Sequence, residues 1–76
     1  MITVKLYGLL RLDSGIKERQ LEAATVAQIL DYLQSQGISR KDLNGAVVLV
    51  NGQSANKRTK VNDGDVVQLL SPVAGG

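Results

Sequence analysis

The 76-residue sequence predicts an α+β domain in which one main helix packs on one face of a mixed sheet of about four to five strands. Three observations carry that expectation. Ile2, Val4 and Leu6 alternate with Thr3, Lys5 and Tyr7, the period-two pattern of a strand with one buried face. A capped amphipathic stretch begins at Thr25. Two apolar runs, at residues 46–50 and 66–70, are each bordered by turn-forming residues.

Taken in order, the first strand ends at Gly8, and residues 9–15 read as a connecting loop carrying Arg11, Asp13 and Ser14, with Gly15 as its turn residue. Residues 16–22 read as a second strand whose charged side chains suit a sheet edge, so that the two strands form an N-terminal hairpin. Thr25-Val26-Ala27-Gln28 is a capping box, in which the Thr hydroxyl and the Gln side chain reciprocally satisfy free amides of the first helical turn. Val26, Ile29, Leu30 and Leu33 then share one helical face, and Gly37 stops the helix, for an expected span of 26–36. Tyr32 and this stripe belong to the core or the helix surface rather than to a cofactor site.

A polar link at 38–45 leads to a third strand at 46–50, followed by the tight-turn pair Asn51-Gly52. Because this strand is apolar at every position, its second face is expected to be covered. Residues 53–58 carry no decisive pattern. Asn62-Asp63-Gly64-Asp65 is a turn that launches the last strand, residues 66–70, and Pro72, which has no N–H, ends ladder pairing. With the first and last strands side by side in the middle of the sheet, this order of elements is a β-grasp. One domain spans 1–76, and residues 71–76 are expected to form a flexible C-terminal tail.

Composition narrows the chemistry. The chain has no cysteine and no histidine, which removes disulfides, a catalytic thiol, the usual zinc ligands and near-neutral acid–base catalysis by imidazole. The remaining Asp, Glu, Lys and Tyr residues form no constellation by spacing, so the chain is expected to catalyse nothing alone. Nine basic and seven acidic residues are scattered along it. The one cluster, Lys57-Arg58-Thr59-Lys60, has no aromatic residues interleaved to stack bases, which argues against nucleic acid; it reads as a solvated loop or as an electrostatic guide for an acidic partner. No apolar stretch approaches the roughly 20 residues that span a bilayer, and no signal-peptide pattern opens the chain, so a soluble, cytoplasmic protein is expected.

The tail Ser71-Pro72-Val73-Ala74-Gly75-Gly76 is the chain's most informative segment. Two terminal glycines offer a carboxylate with no Cβ near it, on a peptide thin enough to thread a narrow channel. An incidental chain end would look similar, because glycine is common in such ends. Alternation adds a second candidate region: Tyr7, Leu49 and Leu70 point to the face away from the helix, beside the root of the tail, as an apolar patch for a partner.

Asn62-Asp63-Gly64-Asp65-Val66-Val67, continuing through Leu69-Leu70-Ser71-Pro72-Val73-Ala74 to Gly75-Gly76, resembles the D-G-D-x-V, apolar pair, proline and terminal diglycine of the ubiquitin-like sulfur carriers. That family includes the small subunit of molybdopterin synthase and the thiamine-pathway sulfur carrier. Val50-Asn51-Gly52 is similar to the family's turn before this segment, and Arg11-Leu12 sits where molybdopterin-type members often carry Arg-Glu-Leu. The Ser-Pro-Val-Ala-Gly-Gly ending is closer to the molybdopterin type. The chain departs from that type in having no phenylalanine, with Leu6-Tyr7 and Leu69-Leu70 in the corresponding places, and in carrying Gly8-Leu9-Leu10 in its first loop.

The resemblance implies that a partner of the E1-like, ubiquitin-activating type adenylates the Gly76 carboxylate with ATP and magnesium. Sulfur from a cysteine desulfurase or rhodanese then displaces AMP and leaves a thiocarboxylate. An acceptor enzyme, such as the large subunit of molybdopterin synthase, would use that sulfur to build a cofactor, molybdopterin foremost. A thiamine or sulfur-amino-acid pathway, or conjugation to target proteins as a ubiquitin-like modifier, are the other destinations implied. On this reading Gly75 admits close approach, Pro72 stiffens the exit, Val73 and Ala74 line the partner's channel, and the chain itself binds no cofactor and no metal.

Overall fold

Alternation builds β1 (Ile2–Tyr7) in the computed structural model, which describes residues 1–71. Ile2, Val4 and Leu6 are buried, while Thr3, Lys5 and Tyr7 stay half-buried on the opposite face. β1 pairs antiparallel with β2 (Glu18–Leu21) and parallel with β5 (Val66–Leu70). On its other side β5 pairs antiparallel with β3 (Val47–Val50), which closes an antiparallel pair with β4 (Gln53–Ala55). The result is a five-stranded mixed sheet in the order β2-β1-β5-β3-β4, the expected β-grasp, with the first and last strands adjacent near its centre.

Three helices join these strands: α1 (Leu9–Ser14), α2 (Val26–Ser35) and α3 (Arg40–Asn44). α2 is the main helix and lays Val26, Ile29, Leu30 and Leu33 against the inner sheet face, where Val67 and Leu69 of β5 are fully buried. Thr25 caps it by accepting from the Gln28 N–H at 3.4 Å, whereas the Gln28 side chain reaches past Thr25 to the Ala24 N–H at 2.6 Å. The next orphan donors are met by the basic loop, since the Val26 and Ala27 amides donate to the Thr59 and Lys57 carbonyls at 3.0 and 3.1 Å. Lys57, Arg58 and Lys60 themselves are exposed. At the other end, Ile38 N–H donates to Leu33 C=O and Gly37 N–H to Gln34 C=O, the paired bonds of a Schellman stop, with Ile38 and Leu33 both buried beside it.

The structure corrects several expected elements. Residues 9–15 are not a plain loop: Gly8 opens α1, Gly15 closes it at φ 73°, and Leu10 between them is buried. A helix therefore stands in the connection between β1 and β2, which do pair antiparallel as expected. The link at 38–45 contains α3, capped by Ser39 accepting from the Asp42 N–H at 3.2 Å and anchored by buried Leu43. β2 is shorter than expected: Ile16 is buried but lies outside the ladder, which begins at Glu18. The third strand has an uncovered side, because Val47 is 48% exposed. Asn51 and Gly52 do make the expected two-residue hairpin, both at positive φ.

That hairpin is tied to the turn before β5. Asn51 Nδ2 donates to Asp65 Oδ1 at 2.9 Å, Asn62 N–H donates to Asp65 Oδ2 at 2.8 Å, and Val66 N–H donates to Asn51 Oδ1 at 2.9 Å. The Asp65 carbonyl accepts from Thr3 N–H at 3.0 Å, which starts the parallel ladder with β1. These bonds, the Asn62 amide first and the Asn51 side chain second, hold the Asp65 carboxyl below its ordinary pKa. A depressed folded-state pKa gives stability that is present above the unfolded value and is lost as pH falls through the folded one. Asp65→Asn, which keeps one acceptor oxygen of two, is therefore expected to be less stable than wild type in urea at neutral pH. The gap should close as the pH drops below the ordinary carboxylate range, and a gap independent of pH would contradict this role.

Candidate functional site

The helix-free face of the sheet carries a row of partly exposed apolar side chains across its central strands. β1 and β5 place Tyr7 beside Leu70, and β5 and β3 place Leu70 beside Val47, so one row across three strands reads Tyr7-Leu70-Val47. The next row is Lys5, Gln68 and Leu49. Tyr7, Leu49 and Leu70, expected from alternation to form an outward patch, do share this face, and all three are half-buried. Gln68 Nε2 donates to the Tyr7 hydroxyl at 3.2 Å and so holds the ring against the sheet.

The place of Val47 in the patch depends on the β3–β5 register, which no local pattern encodes. Leu9 and Leu12 of α1 are further exposed apolar side chains, at 48% and 76%. A six-residue helix is too short to announce itself by periodicity, and that is why sequence reasoning missed them. Arg11 and Leu12 both lie exposed on α1. Arg11, Lys5 and Lys17 surround a shallow hollow that also touches Tyr7 and Glu18. The patch thus has an apolar centre and a largely basic rim on the β1 side.

The root of the tail lies at the end of β5, next to this row. Pro72, Val73, Ala74, Gly75 and Gly76 lie outside the described residues, but their root does not. Ser71 follows Leu70 and is half-buried, and its Oγ accepts a hydrogen bond from Leu9 N–H at 2.7 Å. Gly8, which precedes that amide, sits at φ 64°, ψ −139° and supplies no side-chain cap to α1. A Cβ built on Gly8 would meet Ser71 Oγ at 2.5 Å. The close crossing of the two segments therefore requires glycine at this position.

Among the described residues no buried side chain is polar or charged, and no three acidic residues gather into a metal site. A hollow of about 410 Å³ between Met1, Glu22, Gln28 and Asp63 lies at the opposite end of β1 from Tyr7. No helix among the described residues is long and apolar enough to cross a membrane.

The ThiS family model matches residues 4–76, nearly the whole sequence and the diglycine with it. Among solved structures, the chain is similar to small archaeal modifier protein 1 from Haloferax volcanii, at 25% identity and a TM-score of 0.85 over 99% of this chain and 98% of that one. It is similar to a chain in the Amycolatopsis orientalis BexX/CysO complex, at 29% identity and a TM-score of 0.76 over 100% of both. A third likeness is to the complex of subunits 1 and 2 of the molybdopterin-converting factor from Helicobacter pylori, at 25% identity and 0.75 over 99% and 97%. No curated protein matches the sequence.

Gly8 and Gly15 both have positive φ but differ in surroundings: a Cβ on Gly15 would meet nothing within 4 Å. Gly15→Ala is expected to cost roughly 1 kcal/mol of folding free energy, for the left-handed backbone alone. Gly8→Ala should cost more, about 1–3 kcal/mol for its rarer backbone region with the Ser71 clash in addition. Denaturant titration of the two variants reads the order directly, and equal losses would contradict the close approach.

Proposed function

The chain belongs to the ThiS family of small ubiquitin-like sulfur carriers and modifiers, and from that premise we propose that it carries sulfur on the carboxylate of Gly76. The observation that carries this reading is positional. β5, paired on both sides near the middle of the sheet, delivers the chain into Pro72-Val73-Ala74-Gly75-Gly76 beside the Tyr7-Leu70-Val47 row, within the stretch that the family matches. A docking face and a reactive tail thus share one edge of one rigid strand.

A carboxylate resists nucleophilic attack because its charge and resonance oppose it. In the proposed reaction an E1-like partner aligns a Gly76 oxygen with the α-phosphorus of magnesium-bound ATP; pyrophosphate leaves and an acyl adenylate forms. The terminal sulfur of a persulfide, drawn from a desulfurase or rhodanese, attacks the carbonyl carbon and expels AMP. Thiol cleavage of the resulting sulfur–sulfur bond releases the thiocarboxylate. ATP and magnesium belong to the partner's site, and this chain acts as a protein co-substrate rather than as an enzyme, in the cytoplasm. Gly75 and Gly76 keep side chains away from the reacting carbon, where alignment of reactants contributes most of the acceleration. Pro72 limits the freedom lost on threading, against roughly 1–2 kcal/mol for each residue ordered.

The tail sequence and the likeness to the molybdopterin-converting factor support an acceptor that builds molybdopterin. The likeness to small archaeal modifier protein 1 favours a second reading, conjugation through Gly76 to lysines of target proteins. Intact mass after incubation with an E1-like enzyme, ATP and a sulfur source separates the two. A carrier becomes heavier by the difference between a sulfur and an oxygen atom, whereas a modifier adds the mass of this whole chain, less one water, to other proteins. Neither product with any such enzyme would sink the proposal.

The patch is tested separately. Val47→Asp puts a charge on an exposed position and is expected to change stability by only about 0.5 kcal/mol. If Val47 lies in the docking centre, the same change should weaken the complex with the activating partner by at least about 2 kcal/mol. Calorimetric titration that finds unchanged affinity would remove Val47 from the interface.

A further inference from the structure

Ser71 is joined to the far end of the sequence by a bond that the carrier fold does not need for its core. Its Oγ accepts from the Leu9 amide across a sequence separation of 62 residues. Leu9 is the first residue of α1, and its N–H is one of the donors that a helix cannot satisfy internally. The usual provider of an acceptor, the residue before the helix, is Gly8, which has no side chain to offer. A hydroxyl arriving from the end of β5 takes that place, and it fits because Gly8 lacks the Cβ that would meet it at 2.5 Å. The last ladder pair of the parallel strands, Tyr7 with Leu70, lies immediately before this crossing. Ser71 is therefore fixed from two sides, by the strand behind it and by α1 across it.

From this geometry we infer that Ser71 is a positioning residue for the reaction of the tail: its hydroxyl fixes the point from which Pro72 to Gly76 depart, next to the docking row. The inference rests on the sulfur-carrier reading above. Its mechanism is preorganisation. A tail whose first residue is already held has fewer conformations to lose on entering a partner's channel. Once the tail is threaded, the partner holds it, and the hydroxyl has no further part in the chemistry. Loss of the bond should therefore raise KM and leave kcat unchanged, the pattern of a contribution made equally to ground and transition states.

The test uses the full chain with Ser71→Ala and Ser71→Thr, the latter retaining a hydroxyl at the same carbon. Amide hydrogen exchange comes first and needs no partner. The Leu9 amide should be protected in wild type and in Ser71→Thr, and should exchange about fivefold faster in Ser71→Ala, the value of one ordinary hydrogen bond. An unprotected Leu9 amide in wild type would overturn the contact itself. Pyrophosphate release by the E1-like enzyme is measured next. Ser71→Ala should show KM raised about fivefold with kcat within about twofold of wild type, and Ser71→Thr should restore KM. Wild-type KM in Ser71→Ala, or failure of Ser71→Thr to rescue, would overturn the positioning role while wild type still turns over. No turnover of wild type would instead be a failure of the sulfur-carrier reading.

Discussion

Parallel pairing between β1 and β5 governs the rest of the molecule. Parallel neighbours cannot be joined by a tight turn, so everything between Tyr7 and Val66 must serve as their connection and return the chain to the start of β1. That route supplies the outer strands on both sides, β2 beside β1 and the β3–β4 pair beside β5, and lays α2 across the inner face. It also fixes where the sequence's two informative ends meet. Tyr7 and Leu70 become neighbours because their strands run in the same direction in register, and Ser71 then faces Gly8.

The interior built around this pair is wholly apolar among the described residues, and no buried side-chain donor or acceptor is left without a partner. Polar chemistry is accordingly expelled to the turns. There it works structurally: Asn51 and Asp65 bind two turns to each other, Thr25 and the backbone of the basic loop satisfy the start of α2, and Ser39 opens α3. Among the described residues the polar side chains thus all lie in turns, in caps or on the surface.

The sequence made the regular elements legible where periodicity had room to repeat. β1, β5 and α2 each run for at least five residues with one face apolar, and their inward sets were readable position by position. α1 and α3, of six and five residues, each bury a single residue of their own, Leu10 and Leu43, and one buried residue carries no period. The other positions of α3 are polar, and Leu9 and Leu12 of α1 are exposed rather than part of a buried stripe. The candidate site was legible in the same uneven way. Tyr7, Leu49 and Leu70 followed from alternation, whereas Val47 needed the cross-strand register, and the Ser71–Leu9 contact joins residues that only the assembled sheet brings together. The Asn51-Gly52 and Asn62-Asp63-Gly64-Asp65 turns were each readable alone, yet nothing local says that they bind one another.

The position of Ser71 sets a geometric limit on any enzyme that acts on Gly76. Beyond it lie five residues, Pro72 to Gly76. A fully extended chain covers about 3.3–3.6 Å per residue, so the carboxylate can reach no more than about 18 Å from Ser71. A partner seated on the Tyr7-Leu70-Val47 row must therefore hold its reacting centre within that radius of its own docking surface. The limit is shared by an enzyme that activates the tail and one that receives sulfur from it. On the proposed sulfur-carrier reading both would have to reach the same carbon from the same root at the end of β5.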